Sequence, residues 1–428
     1  MIKKTLSVLV CGTLFAGAMF GLAGCGGSDA IELTVWGSAA QQETLAQMAE
    51  EFKKANPENE YKITIGIGEE DMAFSNVGKD PSAAADVYCY SNDQLIPLLR
   101  VGALARIGGA NLESVKELNT ADSVASGSLD YGTENEKVYG YPYASDNGYF
   151  MFYDKSVVSE EDTATLENII ESCKKNGKKI GWALDVPWYT AGWFFTFGGE
   201  YSVEYDYSAN YAERNVDVNF NSEDVGIKAS KAMAKLASSG VFAGQGTDNE
   251  KITTGFTTGK MAVAVSGTWI AKRVQAALGE NYGVCKLPTV EVDGESKQLY
   301  SFKGYKLWGV NPHCSPSAVS HAHKLAAFLS GENMQKTRFE KHLIGPTNKV
   351  VANLDTVKND ATFAALSAQS AFALEQTSVP SNFWEPLKTY GSYIIDGLVN
   401  EDGTGGKLSY STQLDKMVEQ IKGSVGKA

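Results

Sequence analysis

Histidine is scarce in this chain, with four among 428 residues, at positions 313, 321, 323 and 342. His321 and His323 lie two apart in a segment that reads as helix, so they face different sides. No His-Glu-x-x-His or comparable ligand set is present, and neither a metal nor a cofactor is expected. Cysteine is also sparse: six residues and no Cys-x-x-Cys pair, which excludes a zinc ribbon or a thioredoxin-like site. Positive charge is short as well, with 38 Lys and Arg against 51 Asp and Glu, a net charge of −13. A surface that binds nucleic-acid phosphates must be basic, so nucleic acid is excluded as a partner. The chain has no Gly-x-Ser-x-Gly elbow, no Walker A loop and no Gly-x-Gly-x-x-Gly turn after a strand, which removes the main hydrolase and nucleotide signatures. Fifty-one acids still leave a paired-carboxylate glycosidase open.

The one long apolar run is at the start. Lys3 and Lys4 precede the uncharged stretch TLSVLVCGTLFAGAMFGLAG, which ends in small residues as a secretory signal peptide does. The expectation is a leader over 1–24, followed by LAGCGGSD, which resembles a bacterial lipoprotein box with Cys25 as the lipidated mature N-terminus and 25–30 as a short tether. Removing the leader leaves 36 basic against 51 acidic residues, a formal charge of −15, in keeping with a solvated exported protein. Cys89, Cys173, Cys285 and Cys314 then remain, read as buried small hydrophobes.

Length and periodicity predict two α/β lobes. IELTVWG reads as a strand, QQETLAQMAEEFKKANPE as a helix with Leu45, Met48, Ala49 and Phe52 on one face, and YKITIGIG as a second strand: a β-α-β unit, hence a parallel sheet. The pattern restarts after residue 155, with TATLENIIESCKKNGKK as helix and GKMAVAVSGTW as a turn into a strand. The polar section at 200–222 reads as a surface hairpin or loop. Residues 141–155, YPYASDNGYFMFYDK, lie where one pattern ends and the next begins. They are predicted to cross between the lobes, with Gly148 supplying an unusual backbone angle.

Aromatic and polar residues recur just past predicted strand ends: Trp36, Tyr90 with Asp93, Asp146 with Asn147, Trp188 and Trp269, with Trp384 in the Pro-bounded loop VPSNFWEPL. Open α/β sheets bind ligands at such ends. The chemistry suits carbohydrate, whose C–H faces stack on rings and whose hydroxyls pair with carboxylates and amides. Taken singly, each Trp is more often core than platform.

The ordered segments LTVWG, EEFKKANP, ADVYCYSNDQL, GYPYASDNGYFMFYDK, GKMAVAVSGTW, YGVCKLP and SNFWEPL resemble the extracellular solute-binding lipoproteins of sugar ABC importers, the maltose-binding-protein-like class. The resemblance implies a two-lobe, type II periplasmic-binding-protein-like fold, each lobe a mainly parallel sheet flanked by helices. It places 31–143 with 308–354 in one lobe and 144–307 with 355–428 in the other. It implies no catalysis, and a ligand cleft drawing on Trp36, Tyr90, Asp93, Asp146, Asn147, Trp188, Trp269 and Trp384. The implied ligand is an oligosaccharide, with the retained aromatic positions leaning to a maltodextrin-type α-glucan. The implied partner is a membrane permease, and the implied form a monomer anchored through Cys25 on a Gram-positive surface. A secreted glycan-active enzyme and a receptor for a non-sugar solute are the competing readings. The chain departs from the family pattern after its first strand (GSAAQQ in place of charged residues), at Gln94 and at Val186.

Overall fold

The computed structural model describes residues 30–423 and 425. The leader and Cys25 lie outside the described residues. Among the described residues no helix is long and apolar enough to cross a membrane.

Two sheets organise the chain. The first orders its strands Tyr61–Ile67, Ile31–Gly37, Val87–Ser91, Lys306–Val310, Gly140–Ala144, and the second Tyr282–Cys285, Phe150–Asp154, Met261–Ser266, Lys179–Gly181. Both are mixed, not mainly parallel: three of their seven strand pairs run parallel and four antiparallel. The cause is one reversed strand per sheet. Every antiparallel pair involves Lys306–Val310 or Phe150–Asp154. These are the two strands that enter their sheet directly from the other lobe, so they run away from the junction while all their neighbours run towards it. A strand count from β-α-β periodicity cannot register that reversal.

Helices cover the sheets as their periodicity requires. Gln42–Ala55 buries Leu45, Met48, Ala49 and Phe52, with the Phe52 ring edge-on to Tyr61 at 4.9 Å. Leu166–Lys175 begins at Thr165, whose hydroxyl accepts from the Asn168 amide as an N-cap, and buries Leu166, Ile169, Ile170 and Cys173. His321 and His323, in Pro316–Leu329, are each taken by a tyrosine hydroxyl at 2.8 Å, from Tyr61 and Tyr141. The four cysteines are free thiols. Cys89 and Cys173 are buried, while Cys285 and Cys314 are only half-buried.

The chain passes between the sheets at 145–149 and at 303–305, and a third time after the helix Glu332–His342. That helix sends Met334 into the first core and Phe339 into the second. The crossings lean on one another: Ser145 N–H donates to the Gly345 carbonyl at 2.8 Å. Gly148 is not in the left-handed region as expected. It is needed for room instead, because a Cβ there would stand 3.1 Å from Leu366 and 3.2 Å from the Phe302 carbonyl, inside ordinary contact distance.

Candidate ligand-binding cleft

Strand ends from both sheets meet at the junction, and rings gather on the second-lobe side. Pro187 opens the helix Pro187–Thr196, where its fixed φ fits and its missing N–H costs nothing. That sets Trp188 on the first turn. Trp269 follows the strand Met261–Ser266 through Gly267. Gly267 allows the Trp269 ring to fold back on the main chain; a Cβ would stand 2.1 Å from it. The half-buried Trp188 ring lies 5.9 Å from Trp269, is stacked at 9° over Phe302, and meets Tyr149 edge-on at 4.8 Å. Such offset and edge-on pairs are the favoured geometries for rings.

Beneath the rings sits a buried ion pair. Asp146, with no exposed surface, accepts from the Thr268 hydroxyl at 2.5 Å and faces the Lys306 ammonium at 3.2 Å. Burial pushes Lys306 down, but the charges of Asp146 and Glu70 outweigh it and the net shift is upward. Lys306 also lies 5.6 Å over the Trp269 ring. Glu70 accepts from the Tyr143 hydroxyl at 2.6 Å.

On the first-lobe side, Val87–Ser91 runs out into Asn92 and Asp93. Asn92 pairs with the second crossing through its backbone N–H to the Tyr305 carbonyl and its side chain to the Tyr305 N–H, both 3.1 Å. Its amide also donates to the Gln376 carbonyl at 2.8 Å. Asp93 accepts from Ser91 at 2.6 Å and Gln94 at 2.8 Å. Desolvation nevertheless lifts its pKa to about 6, against the lowering effect of those bonds. Asn147 donates to the Gln376 side chain at 3.1 Å.

The polar section near 200–222 folds as the hairpin Tyr201–Asp206 and Ala212–Val218. Its base packs in the second-lobe core through Val216 and Val218, while Tyr205 and Tyr211 pack against the first lobe. Arg100 of the first lobe reaches it. Its guanidinium donates twice to the Tyr211 carbonyl, at 3.1 and 2.7 Å, and once to Ser381, at 3.1 Å. It also lies 3.7 Å from the buried Glu213 carboxylate. Asn210 returns a bond to the Arg100 carbonyl at 3.1 Å. The hairpin therefore clasps the lobes together.

The structure brings Asp93, Asn147, Trp188 and Trp269 to this junction, with Asp146 directly below. Tyr90 is a correction: it is fully buried beside Leu104 and Leu307, because both faces of its strand are covered, Tyr88 and Tyr90 by one hydrophobic cluster and Val87 and Cys89 by another. Asp146 is a second, since its oxygens face Thr268 and Lys306 and not open space. Trp36 is half-buried with its ring against Gly66 and Gly68. Trp384 meets Phe302 at 6.0 Å and lines a surface groove of about 660 Å³ with Thr389 and Gln420. Lys306, Arg100 and Gln376 escaped sequence reading. Lys306 had a signal, a lone charge at the head of the apolar strand KLWGV; Gln376 had none.

Residues 47–365 match a family described as bacterial extracellular solute-binding protein. The galactooligosaccharide-binding protein of Bacillus subtilis (strain 168) is 26% identical over 449 residues, spanning 99% of this chain and 98% of the relative. A chain solved with acarbose superposes with a TM-score of 0.78 at 30% identity, covering 92% of this chain and 99% of that one. The maltodextrin-binding protein of L. casei BL23, solved without ligand, gives 0.75 at 21% identity, covering 92% and 100% of the two chains, a likeness of fold.

Two outcomes follow from this geometry. Arg100→Ala removes charge-assisted bonds that span the lobes, worth roughly 2 kcal/mol or about thirtyfold in the closed-to-open ratio. The ligand-free variant should show a larger radius of gyration by small-angle scattering; an unchanged radius would mean that the clasp does not hold the lobes. Asp93 is desolvated at the same junction, and separating the lobes is expected to return it to water. A raised acid pKa favours the form that keeps the proton, so this contribution to closure is full below about pH 4 and is lost as pH rises through about 6. The ligand-free protein should be more compact at about pH 4.5 than at about pH 7.5, and Asp93→Asn should flatten that difference.

Proposed function

The chain belongs to the bacterial extracellular solute-binding protein family, and from that premise we propose that it captures an oligosaccharide between two type II periplasmic-binding-protein lobes for delivery to an ABC importer. The observation that carries this reading is the cleft itself: Trp188 and Trp269 as ring platforms on one lobe, with Asp93 and Asn147 supplying hydroxyl partners beside them. Trp384 and Trp36 would extend the ring surface only if the lobes move. Residues 31–143 with 308–354 form one lobe in this reading, and 144–307 with 355–428 the other. Catalysis is not part of it. The acid best shielded in the cleft, Asp146, is committed to Lys306 and Thr268, which suits a structural charge and not a proton donor.

A maltodextrin-type α-glucan is the first candidate ligand, supported by the likeness to the chain solved with acarbose. A galacto-oligosaccharide is the second, supported by a relative that aligns over 99% of this chain. Calorimetric titration with maltotriose, maltotetraose and galacto-oligosaccharides decides between them. Failure to bind any, together with release of reducing sugar on incubation, would favour the enzyme reading. Trp269→Ala should weaken binding of the winning sugar by ~1–3 kcal/mol, the scale of losing one large apolar contact, with little change in the melting temperature of the free protein. Lipid anchoring through Cys25 on a Gram-positive surface completes the proposal. Cys25→Ser should move the protein from the membrane to the medium on cell fractionation, and full membrane retention would sink the anchor.

A further inference from the structure

The far pole of the second lobe is built from turns at the outer ends of its strands. Lys179–Gly181 and Met261–Ser266 start there and run towards the junction, while Phe150–Asp154 ends there. These three strands are neighbours in the sheet, about 4.8 Å apart. The turns at 154–156, 174–179, 257–260 and 279–281 carry Lys155, Lys174, Lys175, Lys178, Lys179 and Lys260 against two acids, Asp154 and Glu280. That inverts the balance of the whole chain, 38 bases to 51 acids. The lysines are held close together. Lys179 N–H donates to the Lys260 carbonyl at 2.9 Å, and the ammonium groups of Lys178 and Lys179 donate to the carbonyls of Gly259 and Gly240, at 2.6 and 2.8 Å. Each of those two ammonium groups keeps two further N–H donors. Of the six, Lys174 is ion-paired, to Glu171 at 2.8 Å. Among the described residues, Lys155, Lys175 and Lys260 are exposed and have no carboxylate partner. Lysines on the flank of the same lobe behave otherwise: Lys228, Lys231 and Lys235 of the helix Lys228–Ala237 meet Asp224, Glu401 and Glu167 at 3.3, 3.0 and 2.5 Å.

Clustered like charges repel one another, and this cluster has no internal partner to offset that cost. An outside anion would. Ammonium groups bind phosphate as point charges, and a plane of phosphates can meet lysines spread over three strand ends at once. The acids elsewhere on the chain weaken this little, because charges more than about 8 Å apart are screened at physiological salt. We propose that the far pole of the second lobe is a docking surface for the anionic headgroups of phospholipids, a role that rests on the membrane location proposed above. The opposite pole supplies the second restraint. Ile31 and Tyr61 start the first-lobe strands there, and the tether 25–30 spans at most about 20 Å. Lipid on Cys25 holds the first lobe, and the lysines hold the second. With both poles down, the long axis lies along the membrane and the junction is carried beside it, where a ligand leaving the cleft meets a permease.

The test removes the lipid with Cys25→Ser, so that headgroup binding is seen alone, and measures co-sedimentation with vesicles. One set is an equal mixture of phosphatidylglycerol and phosphatidylcholine, the other phosphatidylcholine only. The expected result is sedimentation with the anionic vesicles and not with the neutral ones, weakening as salt is raised. Each lysine within reach of an anionic bilayer is worth about fivefold in partition. The further triple change Lys155→Ser, Lys175→Ser and Lys260→Ser should therefore lower it by at least about tenfold. The triple change to Arg, which keeps the charge, should leave it near the starting value. Melting temperature and sugar affinity should be the same in all three proteins. No binding to anionic vesicles, equal binding to neutral ones, or a Ser triple that binds as the parent does overturns the docking surface. So does retention by a soluble glycerol-phosphate polymer with none by vesicles, which would assign the pole to a wall polymer. Failure to bind any oligosaccharide in calorimetry sinks the functional reading instead, since the vesicle measurement uses no sugar.

Discussion

A carboxylate and an ammonium can be buried together between two lobes only if each neutralises the other, because either one left alone would cost several kcal/mol. Asp146 and Lys306 meet that condition at 3.2 Å. Asp146 lies on the first crossing, Lys306 begins the strand that returns through the second, and Thr268, which bonds Asp146, stands on the turn that carries Trp269. One ion pair therefore joins both crossings to the loop that presents a ring to the cleft. The rest of the junction is arranged around it: the Trp269 ring turns its face to the Lys306 charge, and Glu70 adds a second negative partner from the first lobe.

The crossings also explain the sheets. A strand that enters a lobe from the other must start at the junction and run outward, and each sheet accepts one such strand among neighbours that run inward. All the other strand ends then point at the cleft, which is where an open α/β sheet presents its loops to ligand. The reversed strands cost the sheets their parallel regularity. In exchange they make the floor of the cleft from continuous main chain, so lobes that move apart stay in register.

The two lobes are held against each other by two unlike devices. At the mouth, the hairpin Tyr201–Val218 offers the Tyr211 carbonyl and the Glu213 carboxylate to Arg100. At the floor, Asn92 of the first lobe exchanges backbone and side-chain bonds with Tyr305 and donates to the Gln376 carbonyl. Charge-assisted bonds dominate the first and neutral ones the second, so the mouth gains more from each contact. Ligand shifts such an equilibrium only by what it adds over these internal contacts.

Much of this was legible in the order of residues. Helix faces such as Leu45, Met48, Ala49 and Phe52 follow from a 3.6-residue period that one-dimensional reading detects directly. Trp188 and Trp269 were found because strand ends followed by an aromatic are a local pattern. Tyr90 was misplaced because its strand is buried on both faces, so no apolar–polar alternation separates core from cleft. The two-lobe class, the position of Trp188 and Trp269 just past strand ends and the acidic charge were determined by sequence alone, since periodicity, composition and charge are properties of neighbours along the chain. Only the tertiary structure decided that Asp146 serves Lys306, that Arg100 holds a hairpin 111 residues away, and that Gln376 reaches Trp188 across 188 positions. Those bonds join groups whose separation along the chain carries no signal, and each exists only because three crossings bring the lobes together.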